Sequence, residues 1–365
     1  MAYRFTPADR AAFKRCRRQW DFGARERQNL EPVEAAPGPD LDLAVHDALA
    51  VYYFPGMWDW QRSVVLPLVL QGFARSAGSM AGPAAQFEAM LRRYFEWAPE
   101  VDHLAPIQVE CAFEVNLPDP AGGGRELVLA DGRPMRYQGR VDLLAGDGHD
   151  RYWVVAHRVV DRFGTADELL LDEALVAAGW AMERFYPGMR IAGTVHNELL
   201  RPAAPPDGTD QPPRVAPRRS RRRLRRHQRG LPQHEPSGGG RSLPYARRRG
   251  PRPPDPAELS SEGDGEFRRT RIFRDPAELA AMGARLAAEV LDMVDPGLRL
   301  YPNPAPHCGS CQFVAPCLAT ERGGARAVLE AAYRDRGPER VEPGRLGNAT
   351  WGTGRGAAPP RFGPG

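Results

Sequence analysis

Along "IQVECAFEVNL" (107–117), apolar and polar positions alternate, with Val109, Cys111, Phe113 and Val115 on one side and Glu110 and Glu114 on the other. A period of two is the pattern of a half-buried strand. "RELVLA", "MRYQGRVDLLA" and "RYWVVAHRVV" read as three more strands, joined by the turn-like "DPAGGG", "DGRP" and "GDGHD". Upstream, the spacing is helical. Residues 6–23 open on Thr6 as N-cap, Pro7 in the first turn and Asp9 as the partner of a capping box, with Phe13, Cys16 and Trp20 on one face. A second helix runs from Asp40 to Tyr53, where "FPG" stops it, and two more follow near 58–76 and 84–97. Past the strands come a helix over 166–186, an apolar strand "RIAGTVHNELL", a short strand "FRRTRIFRD" and a helix begun by Asp275 and Pro276. Helices, an antiparallel meander, a helix and then a strand predict an α/β fold with a helical N-terminal layer.

Residues 201–264 interrupt this order. They have no apolar period, many prolines and dense Arg, so they cannot bury enough surface to offset their chain entropy and are expected to be a disordered insert. The charge is just as uneven. Residues 201–252 hold 15 Arg against Asp207, Asp210 and Glu235, a local balance of +12, so the rest of the chain carries −8 within a total of +4. Nine Arg fall within 214–229, Arg221, Arg222 and Arg223 among them, a density suited to neutralising nucleic-acid phosphates without reading sequence. A solvated insert without a partner has the same composition. So does a GC-rich gene read out of frame, which makes the segment either a local frameshift or a true divergence. The predicted organisation is one domain from 1–200 and 265–320, the insert, and a short helix with a Gly/Pro-rich tail over 321–365.

The N-terminal residues lack the apolar run of a secretory signal. The most apolar stretch, "VVLPLVL" (64–70), is broken by Pro67 and is too short to span a bilayer. The expectation is a cytoplasmic protein with no membrane partner, in a compartment that keeps thiols reduced.

Three of the five cysteines fall in "HCGSCQFVAPC", as Cys308-x2-Cys311-x5-Cys317. In a reducing compartment such clusters bind metal more often than they form disulfides. Cys16 in "FKRCRRQW" is the better fourth ligand. Cys111 is the competitor, although a lone cysteine among Val and Phe is usually a small core residue. Four thiolates hold zinc or an iron–sulfur cluster. Zinc ribbons generally pair two Cys-x2-Cys knuckles, whereas one knuckle, a five-residue gap and a remote single cysteine suit a cubane better.

These features together resemble the RecB-type branch of the PD-(D/E)xK nuclease superfamily. The resemblance rests on the N-terminal "FTPADRAAFKRCRRQW" helix, the "GRVD" strand with the strand after it, and the C-terminal Cys-x2-Cys-x5-Cys. It is stronger for the branch's iron–sulfur members, such as the AddB nuclease domain and CRISPR-associated RecB-like exonucleases. The resemblance covers roughly 3–200 and 265–320. It implies a restriction-endonuclease-like mixed sheet flanked by helices, and a [4Fe–4S] cluster on Cys16, Cys308, Cys311 and Cys317 that staples the chain ends. It also implies action on single-stranded DNA or duplex ends, with a helicase or recombination partner.

By the same resemblance, His46 and Asp142 match two of the family's ligands for Mg²⁺ or Mn²⁺, the ions that activate water beside a scissile phosphate. On the next strand, Ala156 stands at the family's acid and Arg158 at its lysine. Alanine ligates nothing, and Arg keeps its proton. Ala174 and Ala178 replace a Gln-x3-Tyr helix motif. The expectation is therefore weak or degraded hydrolysis, unless Asp172 or Glu173 from the neighbouring helix, or Glu110 turned inward, supplies the missing acid. Asp142, Arg158 and Glu173 are the catalytic candidates. The alternative is a non-enzymatic nucleic-acid-binding protein stapled by a four-cysteine metal site.

Overall fold

A computed structural model describes residues 2–34, 40–78, 82–203 and 259–337. Arg221, Arg222 and Arg223, most of the predicted insert and the predicted tail lie outside the described residues.

Thr6 caps the first helix as its sequence predicts, with a reciprocal Thr6–Asp9 capping box and Pro7 in the first turn. The predicted 6–23 helix is nevertheless two: α1 (Pro7–Arg15) and α2 (Arg17–Gly23) meet at Cys16, whose backbone is extended at φ −162° and ψ 113°. Asp40 caps α3 (Leu41–Tyr52), and α4 (Arg62–Ala77) and α5 (Pro83–Val101) follow. The predicted 166–186 helix also divides, into α6 (Ala166–Leu170) and α7 (Glu173–Phe185). The Asp172 carboxylate accepts the N–H groups of Ala174 and Leu175 and so starts a new helix inside the expected one. Asp275 caps α8 (Pro276–Val294).

The sheet is mixed. Its path is β1 (Tyr3–Phe5), β4 (Met135–Asp147), β5 (Tyr152–Val160), β6 (Ile191–Leu200), β8 (Phe267–Phe273) and β7 (Leu259–Gly263), while β3 (Leu104–Asn116) also pairs with β4. The β1–β4 and β5–β6 pairs are parallel, the others antiparallel. "RELVLA" is not a strand. Asx turns at Asp119 and Asp131 confine it from both sides, and only the bridges Pro118–Glu126 and Val128–Pro134 form. Conversely, β7 lies inside the predicted insert. Four of its five residues are exposed, so its sequence carries no apolar period, and its pairing with β8 alone makes it a strand. Finally, after α9 (Val314–Thr320), β2 (Leu30–Pro32) pairs with β9 (Tyr333–Asp335), which brings the described part of the 321–365 extension, with α10 (Ala325–Ala332), back onto the N-terminal segment.

Helices cover both faces. One core joins α3, α4 and α5 to Val109, Leu143, Val155 and Val195 of the strands. The other joins α1, α2, α7 and α8 to Cys111, Phe113, Val141 and Val154. The predicted common side for Val109 and Cys111 is therefore wrong: they serve opposite cores. Glu110, between them, has φ +50°, a left-handed conformation that turns the strand over.

Candidate metal centre

The hydrogen-bonded edge of β4 changes partner along its length. Tyr3–Phe5 of β1 pair with Met135–Tyr137, and β5 pairs with Leu143–Gly146, leaving residues 138–142 in the opening between them. Gly139 stands in this opening because a Cβ there would lie 2.7 Å from the Phe113 ring and 3.3 Å from Pro7. Asp142 marks the point where β5 begins to pair. Its Oδ2 accepts the backbone N–H of His157 at 2.8 Å, and the Nδ1 of His46 lies 3.7 Å away.

Glu110 completes the group. One ligand atom each from His46, Glu110 and Asp142 fall within 4.8 Å of one another, and among the described residues these alone form such a metal-competent trio. The left-handed backbone at Glu110 costs roughly 1–2 kcal/mol for a residue with a Cβ, and strain of this kind concentrates at functional sites. Arg140 donates to Glu110 at 2.8 Å. The pKa of Asp142 is raised, first by burial, with His46 and the His157 N–H opposing the rise. That of Glu110 is raised by burial, with Arg140 opposing and the charge of Asp142 adding to it. Two carboxyl groups gathered with an imidazole in a half-buried site are matched to a divalent cation.

The other candidate acids do not join this group. Glu173 is held by Arg10 at 2.6 Å and Arg285 at 2.7 Å, with Lys14 closing the same ion-pair cluster between α1, α7 and α8. Its pKa falls because those cations outweigh the effect of burial. It stands apart from the trio, its carboxylate held by three cations. Asp172 caps α7 and pairs with Arg158. Ala156 packs against the core on the α7 face, consistent with its having no ligand role. Lys14, the chain's lone lysine, is bound to Glu173 and Glu289 and supplies no amine to the trio.

A buried polar network that sequence reasoning missed backs the trio. The His157 ring stacks on Tyr53 at 5.2 Å, and Asn197 Nδ2 donates to His157 Nδ1 at 2.9 Å. Arg269 donates to Asn197 Oδ1 at 3.2 Å, to Tyr53 at 2.8 Å and to Tyr94 at 2.9 Å, and forms an ion pair with Asp102. These residues are spread over α3's end, α5, β5, β6 and β8, so no local pattern announces them. A hint lay in the apolar strand β6, where Asn197 interrupts "TVHNELL".

The cysteines converge only in part. Cys111 is fully buried against Met182 and Tyr186, and burial pushes its thiol up to about 11. It is the core residue its strand predicted. Cys16 lies in the kink between α1 and α2, where the Asn303 N–H donates to its sulfur at 3.4 Å and the Asn303 amide to the Arg15 carbonyl at 2.9 Å. The pKa of Cys311 is raised by burial, opposed by the Phe313 N–H, and raised further by the sulfurs of Cys16, Cys308 and Cys317. Arg18 donates to the Cys317 carbonyl at 3.3 Å and faces its sulfur at 3.7 Å. The four cysteines thus share one neighbourhood, but no three of their sulfurs come within 4.8 Å of one another.

No family model matches the sequence, and no curated protein matches it. Among solved structures, the chain is similar to the crystal structure of SSO0001, with 13% identity over 75% of this chain and 84% of that one, at a TM-score of 0.29. Such a loose superposition leaves the fold to be read from strand order and packing. Among the described residues, no helix is long and apolar enough to cross a membrane.

Proposed function

We propose that this chain is a RecB-like member of the PD-(D/E)xK nucleases that holds one divalent cation and hydrolyses DNA phosphodiesters slowly. The observation that carries this reading is the trio of His46, Glu110 and Asp142 at the opening in β4. Glu110 takes over from Ala156 as the second acid, reaching the site from the neighbouring strand through its left-handed backbone. Two carboxylates and one imidazole suit Mn²⁺ at least as well as Mg²⁺. When bound, such a cation supplies Lewis acidity and a water of lowered pKa.

The protein's own groups account for the low rate. Asp142 is fixed by the His157 N–H, and Glu110 shares its charge with Arg140. Arg158 keeps its proton and is held by Asp172 on the α7 side of β5, so it takes no proton from water. The same observation favours a second reading, DNA-end binding without cleavage.

The four-cysteine neighbourhood supports a [4Fe–4S] cluster as its resident group. Tetrahedral zinc at 2.3 Å from each sulfur brings the sulfurs to about 3.8 Å from one another. No three of the sulfurs here meet that spacing among themselves, so the arrangement is not that of a preformed zinc tetrahedron. The N–H of Asn303 and the guanidinium of Arg18 would offset thiolate charge there. Brown anaerobic protein with stoichiometric iron and sulfide supports this, and colourless zinc protein overturns it.

The functional test is cleavage of end-labelled single-stranded and duplex DNA by anaerobic protein in Mn²⁺, Mg²⁺ or chelator. Slow Mn²⁺-dependent cleavage that is lost in both Asp142→Ala and Glu110→Ala supports the hydrolase. Cleavage persisting in Asp142→Ala overturns it, and DNA binding without cleavage establishes the second reading.

A further inference from the structure

We propose that His157 is a positioning residue for Asp142, transmitting to the metal centre the rigidity of the buried Arg269 network. The inference rests on the metal-centre reading above and adds a part for a residue that touches no metal. Asp142 sits where the β4–β5 ladder ends, so its carboxylate lacks the flanking strand that would fix its direction. What holds it from the β5 side is the single N–H of His157, at 2.8 Å. The aim of that N–H is only as firm as the peptide that carries it, and the His157 side chain clamps that peptide.

The clamp has three parts. Tyr53 stacks on the imidazole with an interplanar angle of 14°. Asn197 donates to Nδ1, which places the ring proton on Nε2. The same Asn197 amide donates to Tyr94 at 2.9 Å, while its carbonyl oxygen accepts from Arg269. His157 is 4% exposed, Asn197 0% and Arg269 4%, so water does not compete for any of these bonds. Burial, with the positive fields of His46 and Arg269 behind it, holds the pKa of His157 well below the usual range. Asn197 Nδ2 can only donate, so the ring nitrogen it meets serves as the acceptor. Outer-shell partners of this type typically change metal affinity by about 10–100-fold when removed.

The test is Mn²⁺ binding by the full chain, read from loss of the free-ion electron paramagnetic resonance signal, with urea unfolding in parallel. Wild type is expected to bind Mn²⁺ and Asp142→Ala to lose binding. If wild type does not bind, or Asp142→Ala binds as wild type does, the metal-centre reading falls and this proposal with it. His157→Phe keeps the stacked ring but removes the acceptor, and should weaken Mn²⁺ by about 10–100-fold. His157→Asn, whose Oδ1 stands near the position of Nδ1, should restore affinity to within about threefold of wild type while leaving the ring absent. If Asp142→Ala loses Mn²⁺ but folded His157→Phe binds as tightly as wild type, the positioning role alone is wrong. Should His157→Phe fail to fold, Asn197→Ser carries the test by withdrawing the amide from Nδ1, and unchanged affinity in that variant overturns the proposal in the same way.

Discussion

Two clusters of charge flank β5, one on each side, and they solve opposite electrostatic problems. On the α7 side, Arg158 and Asp172 neutralise each other, and Asp172 also caps a helix. His196, wholly buried 3.7 Å from Asp172, is pushed down to about 4, chiefly by burial, and stays neutral. Arg158 and Asp172 satisfy each other there, although neither ring nitrogen of His196 has a hydrogen-bond partner among the described residues. On the α3 side, Asp142 and Glu110 face each other with one imidazole and one shared guanidinium, and both carboxyl pKa values rise. The lesson is that the two faces of one strand treat charge differently. Arg158 ends in an ion pair with Asp172, whereas on the other face two carboxylates meet one imidazole and one guanidinium.

Predictions follow from breaking one cluster and not the other. The largest effect is expected from Asp142→Ala, which should abolish saturable Mn²⁺ binding, whereas Arg158→Leu should leave it within about threefold of wild type; calorimetric titration reads both. Next, Arg269→Leu strands Asp102 in the core. Removing one partner of a buried pair costs about 3–5 kcal/mol, and the shift in urea midpoint measures it. Glu110→Gly should separate function from stability. It relieves the φ +50° backbone and removes a repelling carboxylate, so metal-free protein gains about 1 kcal/mol while Mn²⁺ affinity is lost.

The pH dependence carries the same contrast with its sign worked out. Asp142 and Glu110 bind protons more tightly folded than unfolded, so each contributes a stability loss that is absent below the ordinary carboxylate pKa. That loss appears as pH rises toward the raised value. Glu173 and Glu289 are lowered, so their contribution is present above the ordinary value and disappears as pH falls through the folded one. Chemical unfolding across pH 4–7 in metal-free protein should therefore show a destabilising component that Asp142→Asn removes and that added Mn²⁺ reverses. The smallest effect belongs to Arg158→Leu on stability. Its guanidinium is 39% exposed, and a pair of that kind contributes about 0–1 kcal/mol.

Local sequence determined the pieces whose causes are local. Thr6, Asp40 and Asp275 announce their helices because a cap needs only the next three residues. The apolar periods of β3, β4, β5 and β6 mark strands because each is buried on at least one face. Cys111 was legible as core, whereas His46 and Asp142, which the fold sets 3.7 Å apart, were singled out only by resemblance. Tertiary structure decided what depends on partners remote in the chain. Cys16 kinks a continuous helical pattern where Asn303 meets it from 287 residues away. Glu110 joins His46 and Asp142 where its backbone turns over, and a strand that alternates through 11 residues gives no sign of the turn. Glu173 looked available until Arg10 and Lys14 of α1 and Arg285 of α8 were brought to it. A sequence records how each residue prefers to be buried, but the sign of the charge beside it is fixed only when the chain has closed.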